Sequence, residues 1–159
     1  MKKIVINCED QMAPFMDHMC DSHGAFVAGR CVGLIEVAPE DPDRGEIIAC
    51  VWYEGYNGAN MNMHVAAKPG ARWMTREFLW YVFHYPFIEC GVKRVTGLVP
   101  EMNYAARRFD EHIGFKLEAT LKDAAPGGDL RIYTMFKDEC RWLKPPRGVV
   151  VTPPKRMVN

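Results

Sequence analysis

The chain has 159 residues, 48% apolar and 25% charged, and its twenty basic and twenty acidic side chains cancel to a net charge of zero. That length suits one domain with a sizeable core and no need of staples. The neutral balance excludes overall electrostatic steering toward nucleic acid or anionic membrane.

No apolar run approaches the roughly 20 residues of a membrane helix. The opening Met1-Lys2-Lys3-Ile4-Val5-Ile6 lacks the apolar core of an export signal, with Glu9 and Asp10 close behind. A cytoplasmic protein with no membrane partner is expected. Cysteines 8, 20, 31, 50, 90 and 140 are widely scattered, as befits reduced thiols acting as small core hydrophobes. The nearest approach to a metal pattern, Cys20-Asp21-Ser22-His23 with His18 and Cys8 upstream, has no second pair at finger spacing, so no metal is expected.

Between Cys8 and Cys20, Met12, Phe15, Met16 and Met19 recur at helical spacing, which predicts an amphipathic helix packed on a sheet. Two strands follow, Cys31–Val37 and Glu46–Glu54, separated by a loop that the prolines, acids and glycine of residues 39–45 announce. Gly55-Tyr56-Asn57-Gly58 is a turn, so the strand ending at Glu54 and the next, Asn60–Ala66, form a hairpin.

Pro69 and Gly70 then stop the chain in a loop of small residues that lets backbone come close to a ligand. From Trp73 the apolar positions Met74, Phe78, Val82 and Phe83 mark a helix that Pro86 bends or ends, and Cys90-Gly91 closes the segment. Val92–Val99 is the next strand, and a crossover of this length argues for parallel pairing. A strand running through such a loop into a helix start makes an anion site, because first-turn N–H groups point outward. Asn103 suits a helix N-cap ahead of Ala105, Ala106, Phe109 and Ile113, and Gly114 suits its left-handed end. Phe115–Leu121 and Leu130–Phe136 are strands joined by a Gly127-Gly128-Asp129 turn.

The run Asn103-x-x-Ala106-x-Arg108 followed by Glu111-His112-Ile113-Gly114-Phe115, with Asp129, Tyr133 and Met135 in the tail, resembles the acyl-CoA N-acyltransferases of the GNAT superfamily. The likeness runs from about Glu46 to Leu143 and is greatest to the branch that acetylates ribosomal-protein N-termini. It implies an α/β layered fold with a mixed, mostly antiparallel sheet, helices on its flanks, and a central parallel strand pair that splays apart. In that family the pantetheine arm lies in the gap as a pseudo-strand, and a glycine-rich loop wraps the CoA pyrophosphate. Here Gly70-Ala71-Arg72-Trp73-Met74-Thr75 stands in that loop's place, with Arg72 where the family has glycine. A guanidinium there either pairs with phosphate or blocks the backbone approach.

The resemblance therefore implies acetyl-CoA as acyl donor, held by Val65 and Ala66 at the strand end, by Gly70, Ala71, Arg72, Trp73, Met74 and Thr75, and by Asn103. Arg107 and Arg108 either reach phosphates or are merely solvated. The bound amine attacks the thioester directly, so the protein has to orient it and move protons. His64 and Glu54 are the candidate bases, each also readable as an ordinary strand-end residue. Many members carry a tyrosine as general acid four residues before the Gly-Phe glycine. That position is Asp110 here, and Phe109 beside it has no proton to give.

The expected protein is an N-acetyltransferase acting on a primary amine of a small molecule, a protein N-terminus or a lysine, with a homodimer left open. One alternative is an inactive GNAT-fold protein that binds CoA or a partner. The other is a nucleic-acid-associated module using the C-terminal stretch, although nucleic acid is not an expected partner. The acyltransferase domain is assigned to residues 1–143. Residues 144–159, basic and proline-containing, are assigned to a tail, with Val149-Val150-Val151 as a candidate extra strand.

Overall fold

The computed structural model describes residues 1–148, apart from the side chains of residues 42 and 43. In chain order it contains strand β1 (Lys2–Ile6), helix α1 (Glu9–Met19), β2 (Arg30–Ala38), β3 (Asp41–Glu54), β4 (Asn60–Ala67) and α2 (Arg76–His84). A π-helical turn (Tyr85–Glu89) leads to β5 (Arg94–Pro100), α3 (Tyr104–Ile113), β6 (Lys116–Ala125) and β7 (Gly128–Phe136). Two 3-10 turns follow, Lys137–Glu139 and Arg141–Leu143.

The strands follow the order β1-β2-β3-β4-β5-β7-β6. β4 and β5 pair in parallel, while β1–β2, β2–β3, β5–β7 and β6–β7 pair antiparallel. This is the mixed, mostly antiparallel architecture with a central parallel pair that was expected. No helix among the described residues is long and apolar enough to cross a membrane.

The chain groups into two compact units. The first comprises Met1–Glu54 and Val65–Val82, with residues 144–148 at its C-terminal end. Its core is the face of α1 set by Met12 and Met16, packed with Phe26, Cys31, Cys50, Trp52 and Ala66. Phe26 meets Trp52 edge-on with ring centroids 5.7 Å apart, a favoured aromatic geometry. The loop leaving α1 is folded by Asp17, whose carboxylate accepts from the Ser22 hydroxyl at 2.6 Å and the Ala25 N–H at 3.0 Å. Tyr53 is fully buried, and its hydroxyl donates to the Val82 carbonyl at 2.6 Å, which ties α2 to β3.

The second unit comprises Gly55–His64 and Phe83–Leu143. Here α3 buries Ile113, and Phe83 packs beside Phe115 with ring centroids 6.2 Å apart. The Trp142 indole N–H donates to the Ile113 carbonyl at 2.8 Å, fastening the segment after β7 onto the end of α3.

Several boundaries differ from those read in the sequence. β1 escaped notice because five residues carry too little periodicity to separate a strand from an N-terminal extension. β3 begins at Asp41 and not Glu46, so the expected loop over residues 39–45 shrinks to the two residues before it, and register shifts opposite Leu34/Ile35 and Val37/Ala38 place the extra residues in β3. α2 begins at Arg76 and not Trp73, because Thr75 caps it: the Phe78 N–H donates to Thr75 Oγ1 at 3.2 Å. β6 runs on to Ala125, so the following turn is centred on Pro126-Gly127. The candidate strand at Val149–Val151 lies outside the described residues.

Candidate functional site

The parallel ladder between β4 and β5 is short. Asn60 pairs with Arg94, Met61 with Val95 and Asn62 with Thr96, and there the pairing ends, although both strands continue. Beyond Asn62 and Thr96 the register between these two strands is not continued. Strand backbone left unpaired needs another donor or acceptor, which water or an extended ligand can supply.

Alternation along the strands sorts the surrounding side chains by face. Arg94, Thr96 and Leu98 share one face of β5, and the register puts Asn60 and Asn62 beside them; the same alternation carries His64 to that face. Thr96, nearly buried, donates from Oγ1 to Asn60 Oδ1 at 2.6 Å. Arg94 makes a bidentate pair with Glu118, at 3.0 and 2.6 Å, and also donates to Thr96 and Thr134. The Thr134 hydroxyl donates to the same Glu118 carboxylate. Arg94 and the Thr134 hydroxyl hold the Glu118 carboxyl down at about 2. The network anchors the root of the β4–β5 pair with its buried polar groups satisfied. Nothing in the local sequence marked it, because apart from the Arg94–Thr96 contact its bonds join residues 16 to 40 apart.

On the opposite face α3 lies over Val95, Gly97 and Val99. Asp110, 9% exposed, sets Oδ2 only 3.3 Å from where a Cβ on Gly97 would stand. Burial, and then the neighbouring Glu111 charge, pushes its carboxyl up to about 7. Beside it, the Tyr133 hydroxyl donates to Glu111 at 2.9 Å and receives the Arg107 Nε–H at 3.4 Å.

The remaining candidates take distinct places. Asn103 caps α3 through its side-chain oxygen, which accepts from the Ala106 N–H at 3.1 Å, and Gly114 ends the helix in the left-handed conformation. The exposed Asn103 side chain keeps its amide N–H groups for other partners. Arg107 is engaged by Tyr133, by the Glu101 carbonyl at 3.1 Å and by the ring of Tyr104, 5.7 Å from its centroid. Arg108 is exposed.

In the first unit, Ala66 is buried in the core and Val65 is half-buried. Glu54, at the end of β3, is half-buried in the first unit, and His64 half-buried in the second. Gly70 turns the chain at φ +76°, a value glycine adopts without strain, and a Cβ there would meet open space. The Ala71 N–H closes this turn on the Lys68 carbonyl at 3.2 Å. Arg72 is exposed, its carbonyl accepts from the Lys2 ammonium, and its guanidinium has no partner among the described residues. Trp73 packs edge-on against Phe78, Met74 is 49% exposed, and Thr75 is spent on the cap.

An open depression of about 660 Å³ lined by Met1, Glu36, Val37, Arg44 and Glu46 contains none of these residues. The six cysteines are free thiols. The Cys50 hydrogen bond pushes Cys31 up to about 12, and burial pushes Cys140 up to about 11, so neither is poised as a nucleophile.

No protein-family model and no curated protein sequence matches the chain. Solved structures do. A variant of the spermidine N-acetyltransferase SpeG from Vibrio cholerae superposes with a TM-score of 0.65 at 12% identity, over 86% of this chain and 94% of that one. The ribosomal-protein-S5-alanine acetyltransferase from Vibrio fischeri gives 0.62 at 10% identity, over 87% and 94%. A GNAT-family acetyltransferase from Bacillus anthracis gives 0.54 at 18% identity, over 69% and 67%. The chain has the fold of the GNAT acetyltransferases.

Proposed function

We propose that the protein transfers an acetyl group from acetyl-CoA to a primary amine, by direct attack of the amine on the thioester. One observation supports this above the others: on a GNAT fold, the parallel β4–β5 ladder stops after Asn62 and Thr96 while both strands run on. An extended pantetheine arm, with its two amides, has the hydrogen-bonding pattern to occupy such an edge as an added strand. The Gly70 turn, leading to the capped start of α2, is the proposed phosphate-binding element. Arg72 and Arg108 are exposed guanidiniums suited to phosphate, and the spare N–H groups of Asn103 are suited to the cofactor's carbonyls. Arg107 already donates to Tyr133 and to the Glu101 carbonyl and lies over the Tyr104 ring, so it is assigned instead to holding that cluster.

The proposed base is His64, directly or through water, since an imidazole titrates near neutral pH and accepts a proton from the attacking amine. Glu54 is the proposed second candidate. The structural neighbours act, by their descriptions, on spermidine and on a ribosomal-protein alanine, so polyamines and peptide N-termini are the first acceptors to screen.

The experiment incubates acetyl-CoA with spermidine, with an alanine-terminated peptide and with a pooled amine library, with and without the protein. Mass spectrometry then reads acetylated product. A product mass increase dependent on the protein is the expected result. No product from any pool would contradict the assignment.

A further inference from the structure

The hydrogen bonds at the root of β4 and β5 run in one direction, and a guanidinium sets it. Arg94 has donors only, and Nε at 3.3 Å and Nη2 at 3.1 Å both go to the Thr96 oxygen. With that oxygen accepting, the Thr96 hydroxyl hydrogen is free to donate, and it goes to Asn60 Oδ1 at 2.6 Å. Asn60, its oxygen taken, turns its amide nitrogen to Asn62, where Nδ2 donates to Oδ1 at 3.4 Å. Reversing the Asn62 amide would set two donors against each other. The series therefore ends on Asn62 Nδ2, which has no acceptor among the described residues.

Asn62 is half-buried and is the last residue of β4 in the ladder, opposite Thr96. Its Nδ2 lies 3.3 Å from where a Cβ on Gly55 would stand, so the bare glycine leaves the amide room. The same network offers no free acceptor. The Glu118 carboxylate is taken by Arg94, in a bidentate pair, and by the Thr134 hydroxyl. The next residue of β5 on this face is Leu98, 36% exposed, and Ile132 stands opposite it on β7. A polycation brought here meets donors and apolar side chains, and its charges go uncompensated. An amine with an oxygen acceptor beside its nitrogen suits both features.

Resting on the acetyl-transfer reading, we propose that Asn62 determines acceptor specificity by donating to a carbonyl oxygen next to the attacking nitrogen. The acceptor class is then an α-amino carbonyl compound, such as an amino-acid amide or a peptide N-terminus, and polyamines are disfavoured. Arg94, Thr96 and Asn60 are positioning residues, which act by keeping the Asn62 N–H groups turned outward.

The test compares alaninamide, 3-methylbutan-2-amine (in which an isopropyl group replaces the carboxamide) and spermidine as acceptors with acetyl-CoA. Mass spectrometry gives kcat/KM per unprotonated amine. Wild type should favour alaninamide over each of the others by roughly tenfold or more. Asn62→Asp keeps an oxygen for Asn60 and puts a second oxygen where the outward N–H groups were. It should lower kcat/KM for alaninamide and raise it for spermidine, chiefly through KM, with CoA affinity by calorimetry unchanged. Equal use of the three amines by wild type, or a product found only with amines lacking such an oxygen, would overturn the proposal even if the variant failed to fold. An unchanged ranking in folded Asn62→Asp would do the same. Those outcomes defeat this proposal alone, whereas no product from any amine, the pooled library included, defeats the acetyl-transfer reading and this one with it.

Discussion

At the scale of single residues, Asp110 is read through stability and His64 through rate. The folded chain holds the Asp110 proton up to about 7, against 3.8 for an ordinary aspartate. A carboxyl raised in this way contributes proton-linked stability that is fully present below the lower value and lost as pH rises through the higher one. Denaturant titrations of wild type and Asp110→Asn should therefore diverge between about pH 4 and 7, by on the order of 1.4 kcal/mol for each unit separating the two pKa values. The wild type should lose ground as pH rises, with a constant difference above that window. His64 is read on the kinetic side. His64→Ala should cut turnover by roughly 10²-fold, leave acetyl-CoA affinity nearly unchanged, and abolish the acidic limb of the pH–rate profile. Full activity in that variant would pass the role to Glu54 or to water.

At the level of elements, the Gly70 turn and the start of α2 decide how phosphate is met. Arg72 follows the turn with an exposed guanidinium that is unengaged among the described residues, and charge-assisted contacts of that kind contribute roughly 1.5–3 kcal/mol. Arg72→Ala should weaken CoA binding about tenfold or more by calorimetry, with dephospho-CoA affected similarly. Tighter binding by Arg72→Gly would show that the side chain obstructs the loop.

The same region shows what a single sequence does and does not disclose. The cap at Asn103 and the left-handed end at Gly114 were legible, because capping is chemistry within four residues of chain. The start of α2 was misjudged by three residues, since Trp73 and Met74 continue the helical apolar spacing while Thr75 provides the actual cap. Asp110 was legible as a departure from the family pattern. Its burial against Gly97 was not, because that contact depends on how α3 lies over β5.

At the scale of the whole molecule, the parallel pairing of β4 with β5 was legible in the length of the crossover between them, whereas β1 and the full strand order were not. The point at which the β4–β5 ladder ends was not, and neither was the Asn60, Thr96, Arg94, Glu118 and Thr134 network at its root. Those partners meet only after β5, β7 and β6 have assembled, so no local pattern encodes them. The early end of the β4–β5 ladder carries the functional reading, and amide hydrogen exchange with and without acetyl-CoA tests it most directly. Peptides covering residues 63–66 and 97–99 should gain protection on acetyl-CoA binding, while the already paired Asn60–Asn62 and Arg94–Thr96 change little. Unchanged exchange in both stretches at saturating acetyl-CoA would contradict the account.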